Sequence, residues 1–322
     1  MGLPARLASR ILGVDVSRMP RHDKLFLLSL LPLGVLILAL YVYIAYVFAD
    51  YSAPVIEREG VDFIFGSEWS PSRTTYQILP VLLGSMVTAS IALLLALPPT
   101  LAAVVFINEY LSPRLREPVA SLIDVMAGVP SVIYGLWGAK VLVPLLQRYV
   151  MEPLHEKLGF IPLFSCQPLT GRSILAAGVV LAIMVTPYMF ALVNEAYRSI
   201  PTAYREAILG IGGRRYHVAR ILISMLRGAV AGAALLGFGR AVGETIAVTL
   251  VVGNVIEMPT CLFAPGQTIT SLIATLFPEA QAKPLMLNAL YAAGLTLLAL
   301  GLALNFAGLA LMYRWRRLME RV

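Results

Sequence analysis

Six long stretches of this chain carry almost no charge, and they limit the fold more than any other feature. They cover residues 25–49, 78–107, 127–146, 173–193, 228–252 and 285–312. Each reaches the roughly 20 residues that a helix needs to cross a bilayer. Only 13% of the 322 residues are charged, against 59% hydrophobic, about half the charge share of a soluble domain. A single water-soluble globule is therefore excluded. A disordered chain is excluded by the same hydrophobicity, and a disulfide-dense scaffold by the presence of two cysteines. The expectation is an all-α membrane protein with six transmembrane helices. The run 25–49 is too long for the apolar part of a signal peptide and lacks an A-x-A site after it, so it reads as a retained anchor. The run 78–107 is interrupted by Pro98-Pro99.

Lysine and arginine accumulate in the cytoplasmic segments of membrane proteins. With both termini inside, the inner segments 1–24, 108–118, 194–227 and 313–322 hold 17 of the 25 Lys and Arg, and the outer segments hold six. Arg6, Arg10 and Arg18 contribute at the start, and Arg314 and Arg321 at the end. Both termini are expected in the cytoplasm, and the net charge of +7 is a topology signal. No basic soluble segment is large enough to bind nucleic acid. Within 108–126, Leu115, Val119, Leu122, Ile123 and Met126 recur at helical spacing, the pattern of a short helix lying in the interface.

Several chemistries are missing. None of the four lysines follows a glycine, so the chain has no P-loop to hold ATP. His22, His155 and His217 are scattered, one per segment, which leaves no metal-binding pair and no base for an intramembrane nucleophile. No cofactor is expected in this chain. Lys140, about six residues from the outer end of the third run, is read as snorkelling to the interface.

The fifth run is the most unusual. Gly228, Gly232, Gly239 and Gly243 fall within one narrow stripe at 100° per residue, the pattern that permits close helix packing in membranes. Arg240 and Glu244 lie beside that stripe, one turn apart, with Arg240 near the bilayer centre. A central charge costs about 2.5–3.5 kcal/mol on insertion scales, so the pair is expected to face a polar pathway. A self-satisfied pair that serves only packing is the alternative. Cys166 and Cys261 both fall in outer loops, on the oxidising side, and are candidates for a disulfide, with two unpaired buried thiols as the alternative.

The inner segment 194–227 is too apolar for a merely solvated loop, with Ala207, Ile208, Leu209 and Ile211 between its arginines. Pro201-Thr202 can open a helix of about 202–209, which Gly210 or Gly212 would end, making a rigid knob. Glu206-Ala207, with Gly212 and Ile221-Leu222-Ile223 beyond, resembles the EAA loop of ABC-importer permeases. Ala127-Gly128-Val129-Pro130-Ser131-Val132-Ile133-Tyr134-Gly135 and Gly239-Arg240-Ala241-Val242-Gly243-Glu244-Thr245-Ile246-Ala247-Val248, with Gly253-Asn254, resemble elements of phosphate permeases. Trp69-Ser70-Pro71 and Ile78-Leu79-Pro80 are similar to the PstC-type half of the pair. Two departures stand in the EAA loop: Tyr216 replaces the usual Trp, and the proline after Ile221 is missing.

The resemblance runs from about residue 60 to the C-terminus. It implies a type I ABC-importer permease fold, with the core over 78–312, and places this chain in the plasma membrane as the permease subunit of a phosphate importer. Glu206, Ala207 and Gly212 would then dock on an ATPase. The partners implied are a second permease of the PstA type, two ATPase subunits that bind ATP and Mg, and an extracellular phosphate-binding protein. A permease for molybdate, tungstate or sulfate remains open, as does a self-contained secondary transporter, although the two similar halves expected of the latter are not evident.

Overall fold

A computed structural model describes residues 20–319. Arg6, Arg10, Arg18 and Arg321, which enter the orientation argument, lie outside the described residues. The chain divides into two units, one ending at Tyr51 and one beginning at Ser52. The first unit is described only by its part of helix α1 (Arg21–Glu59). Its large apolar side chains, among them Phe26, Leu36, Ile37 and Leu38, are exposed, as befits a surface whose solvent is lipid. The helix outruns the expected 25–49 because Val55 is wholly buried in the second unit, in one cluster with Phe63, Tyr76 and Ile78.

In the second unit a short antiparallel hairpin, β1 (Trp69–Ser70) with β2 (Thr75–Tyr76), pairs Trp69 with Tyr76. Helix α2 (Leu79–Val105) passes through Pro98-Pro99 without interruption and widens into a π-helical turn at Phe106–Tyr110. Prolines are tolerated in membrane helices where hydroxyls and neighbouring helices serve the backbone. The prolines leave the Leu94 and Leu95 carbonyls without an amide donor, and beside them the Thr100 hydroxyl donates to the Ala96 carbonyl at 2.8 Å. Helix α3 (Pro113–Ala127) is amphipathic and meets α4 (Ser131–Leu158) at 87°. The third apolar run thus starts later than 127 and ends well beyond 146, carried onward by π-helical turns at Gly138–Leu142 and Gln147–Met151. Lys140 is exposed and lies 18 residues before Leu158 instead of about six from the helix end.

Helix α5 (Ile174–Arg198) starts where the Ser173 hydroxyl accepts the Ala176 amide at 3.2 Å, an N-cap. It is the hub: 67% of its apolar window is buried inside the protein, against 28% for the window of α2. After it come α6 (Thr202–Gly210), α7 (Arg215–Met225) and α8 (Arg227–Val242), with a 65° bend between α7 and α8. The fifth run is not one helix. Gly243–Thr245 is unwound, and α9 (Ile246–Val251) starts afresh. Helix α10 (Ile269–Ala280) occupies what reads in sequence as an outer loop, and α11 (Pro284–Met319) closes the described chain. Among the described residues four helices are long and apolar enough to span a membrane, up to six if each bent pair counts as one.

Close packing needs glycine at several positions, Gly178 and Gly84 among them. A Cβ at Gly178 would stand 2.5 Å from Ile91 Cγ2, locking α5 on α2. A Cβ at Gly84 would collide with the Gln267 carbonyl just before α10. The packing on α8 differs from the stripe expected. Beyond its own helix backbone no atom lies within 4 Å of a Cβ at Gly239, and at Gly243 only the Gly239 and Arg240 carbonyls do, at 3.5 and 3.8 Å. The tight position is Gly237, where a Cβ would lie 2.9 Å from Met189 and from Val185 of α5. The 100° projection carries Gly243 and Glu244 on a helix that has already ended at Val242, so Gly243 leaves the stripe and Glu244 loses its place beside it.

Candidate functional site

Two surfaces gather the residues singled out in the sequence. The first is the knob. Helix α6 ends at Gly210, with Ile211 as its cap and Gly212 at φ +85°, a left-handed turn that favours glycine. The Gly213 amide donates to the Ile208 carbonyl at 2.9 Å and the Gly212 amide to Leu209 at 3.0 Å. The Ile208 and Leu209 carbonyls at the C-terminal end are thereby satisfied. Ile208 turns inward, whereas Glu206, Ala207 and Gly212 are exposed. Around them Tyr204, Leu209 and Ile211 are exposed too, Ile211 at 87%. Exposed aliphatic side chains on a glycine-terminated helix make a surface suited to a protein groove.

The second surface is the broken fifth span. Arg240 lies in the last turn of α8, 13 residues and so about 20 Å along the axis from Arg227. Its guanidinium stands 5.5 Å over the centroid of the Tyr188 ring, a cation–π contact. Together with Gly239, Leu235, Leu236, Gly301, Leu304 and Asn305 these residues line a groove of about 340 Å³ between α5, α8 and α11. The open space above Gly239 is part of that groove.

Glu244 does not pair with Arg240. Among the described residues no ion pair joins them. Its Oε1 instead accepts the Ala247 amide at 3.4 Å, over the start of α9, while its carbonyl accepts the Thr270 hydroxyl at 2.7 Å. The unwound segment is therefore tied to α10. Beyond α9, Gly253 and Asn254 both take positive φ, +102° and +58°, and Asn254 Nδ2 donates to the Thr249 carbonyl at 2.8 Å. The two motif-bearing segments touch: a Cβ at Gly135 would lie 2.8 Å from Ala247 Cα.

On the other loops, Cys166 and Cys261 meet as free thiols, with the Cys166 amide donating to Cys261 Sγ at 3.2 Å. Leu262 N donates to the Leu163 carbonyl, and the rings of Phe164 and Phe263 are 5.5 Å apart. Burial, reinforced by the hydrogen bond to Cys261, pushes the Cys166 thiol up to about 11.

Sequence reading missed a third feature. Glu109, in the π-helical turn after α2, is buried and accepts three hydrogen bonds on Oε1: from Tyr197 at 2.8 Å, and from Arg205 Nε at 3.1 Å and Arg205 Nη2 at 2.6 Å. Asn108 donates to Asn194 at 2.7 Å beside it. The signal available was an acidic residue directly after an uncharged span.

The family model for binding-protein-dependent transport system inner membrane components matches residues 100–317. A probable phosphate transport system permease protein PstC of Methanocaldococcus jannaschii is 40% identical over 307 residues, 94% of this chain and 98% of that protein. The phosphate transport system permease protein PstC of Haemophilus influenzae is 34% identical over 274 residues, covering 84% and 85% of the two chains. A chain in the crystal structure of a bacterial ABC transporter involved in the import of alginate, an acidic polysaccharide, has the same fold. Its TM-score is 0.57 at 17% identity, covering 92% of this chain and 96% of that one. With four to six apolar helices among the described residues, an importer-permease fold and a family match over most of its length, this chain belongs to the binding-protein-dependent transport system inner membrane components.

Proposed function

We propose that this chain is the membrane-spanning permease subunit of an ATP-driven phosphate importer of the PstC type. The observation that carries the reading is the 40% identity over 94% of the chain to a protein named as a phosphate permease. The groove beneath Arg240 supports it. Phosphate at neutral pH bears one to two negative charges, and a guanidinium can bond two of its oxygens at once without losing its own charge.

On this reading the second permease is of the PstA type and faces the broken fifth span. Of two ATPase subunits, which bind ATP and Mg, one docks on the α6 knob from the cytoplasm, where both termini lie. Closure of the ATPases on ATP displaces the knob, the cavity between the permeases opens outward, and an extracellular phosphate-binding protein delivers its cargo. Arg240 then receives phosphate. Glu244, capping the far half of the span, sets the geometry from which phosphate is released.

The test is to isolate this chain from its native membrane, identify what co-purifies, and assay the assembled complex in vesicles with phosphate, sulfate and molybdate. ATP-dependent uptake selective for phosphate is expected. Uptake of sulfate or molybdate in preference to phosphate overturns the substrate, and transport by this chain alone overturns the assembly.

A further inference from the structure

Three elements distant in sequence meet at one buried carboxylate. Glu109 sits at the cytoplasmic end of α2, Tyr197 in the last turn of α5, and Arg205 within the docking helix α6. The Glu109 side chain is 4% exposed and that of Arg205 is 31% exposed. Three hydrogen bonds converge on Glu109 Oε1. Arg205 presents Nε and Nη2 as a fork, and Tyr197 fills a further acceptor direction of the same oxygen. Surrounding them are Val104, Ile107, Val193 and Ile208, all buried in one cluster.

Ion pairs on a protein surface contribute little. One with a nearly dry carboxylate is different, because removing either member strands a charge. Helix α6 otherwise follows α5 through only three residues, Ser199 to Pro201. The other cross-link in the area, Arg198 to Glu117 at 2.8 Å, has its carboxylate 74% exposed.

We propose that Glu109 is a positioning residue that makes the docking helix and the inner end of α2 move as one body. Arg205 directly precedes Glu206 and Ala207, so force applied to the exposed face of α6 reaches Glu109 across a single side chain. From there it passes along a π-helical turn into a 27-residue helix. Without the clasp, α6 can tilt under the ATPase while α2 stays behind. This rests on the docking role proposed for α6.

The experiment compares the assembled transporter carrying Glu109→Gln with wild type in vesicles, reading phosphate moved per ATP hydrolysed. Glutamine keeps the shape and an acceptor for Tyr197 but removes the charge that holds Arg205. The ratio is expected to fall about tenfold, within the range by which residues between two sites alter their coupling. Tyr197→Phe, which deletes one neutral hydrogen bond, should lower it by less. A shape-only role leaves the ratio unchanged, since misfolded complexes lose uptake and hydrolysis together. An unchanged ratio in Glu109→Gln overturns the proposal. Should that variant not assemble, an unchanged ratio in Tyr197→Phe overturns it, and so does failure of both to assemble. If wild type itself neither docks an ATPase on α6 nor moves phosphate, the docking reading fails instead.

Discussion

Arg240→Gln removes the guanidinium from the groove between α5, α8 and α11. Within the protein this forfeits the cation–π contact with Tyr188 at 5.5 Å, which is worth about 0.5–1 kcal/mol where exposed. The fold should survive that loss. Toward phosphate the loss is larger. A hydrogen bond to a charged group contributes about 1.5–3 kcal/mol, so two bonds of a fork amount to about 3–6 kcal/mol, or roughly a hundredfold to ten-thousandfold in the step they serve. Arg240→Lys keeps the charge and one bond, and should lower uptake about ten- to a hundredfold. Tyr188→Leu should cost no more than about fivefold. A pair kept only for packing behaves differently, since neutralising both members with Arg240→Gln plus Glu244→Gln would restore function. No ion pair joins the two among the described residues, and Glu244 is engaged with Ala247, so the double variant should be no better than Arg240→Gln. Phosphate uptake by the assembled complex in vesicles decides. Near-normal uptake by the double variant would refute the pathway role of Arg240.

Gly212, at φ +85°, should tolerate alanine at a cost of about 1 kcal/mol, whereas Gly212→Pro or a bulky side chain at Ala207 should leave the protein in the membrane but uncoupled. A cysteine at 207 should crosslink to the ATPase, and failure to do so in the complex removes the docking role. Gly237→Ala should destabilise by about 1–3 kcal/mol through overpacking against Met189, and Gly239→Ala should not destabilise the isolated chain; thermal unfolding in detergent compares them. With its thiol raised from 9.0 to about 11, Cys166 should alkylate about a hundredfold more slowly at pH 8 than an ordinary thiol, because only the thiolate reacts. The rate should climb as pH rises toward 11. No alkylation without reductant, and alkylation after it, would show instead that the neighbouring sulfurs had been joined.

How much of this was legible follows from what each element must satisfy. Lipid forces every span to be long and apolar, so runs such as 173–193 announce themselves. The knob was legible because its glycines follow an apolar turn. The break at Gly243–Thr245 was not, since counting 100° per residue presumes an unbroken helix and carries Glu244 past the point where α8 stops. Helix α10 was hidden because 12 residues are too few to span and its start is rich in Thr and Ser, of which the Thr268 and Ser271 hydroxyls bond each other in the cap. The Glu109 clasp joins residues 88 and 96 positions apart, and no local pattern records such a meeting.

The unwound Gly243–Thr245 link has a mechanical consequence. A rigid span that swings must drag its outer side chains through acyl tails and deform the surrounding lipid. A span divided between a 16-residue and a six-residue helix can flex there, leaving its circumference against the bilayer almost constant. The work of opening then falls on a few hydrogen bonds, such as Thr270 to the Glu244 carbonyl, and not on the elasticity of the membrane. Turnover in vesicles should accordingly vary little with acyl-chain length, and a steep dependence would mean that the whole helix moves.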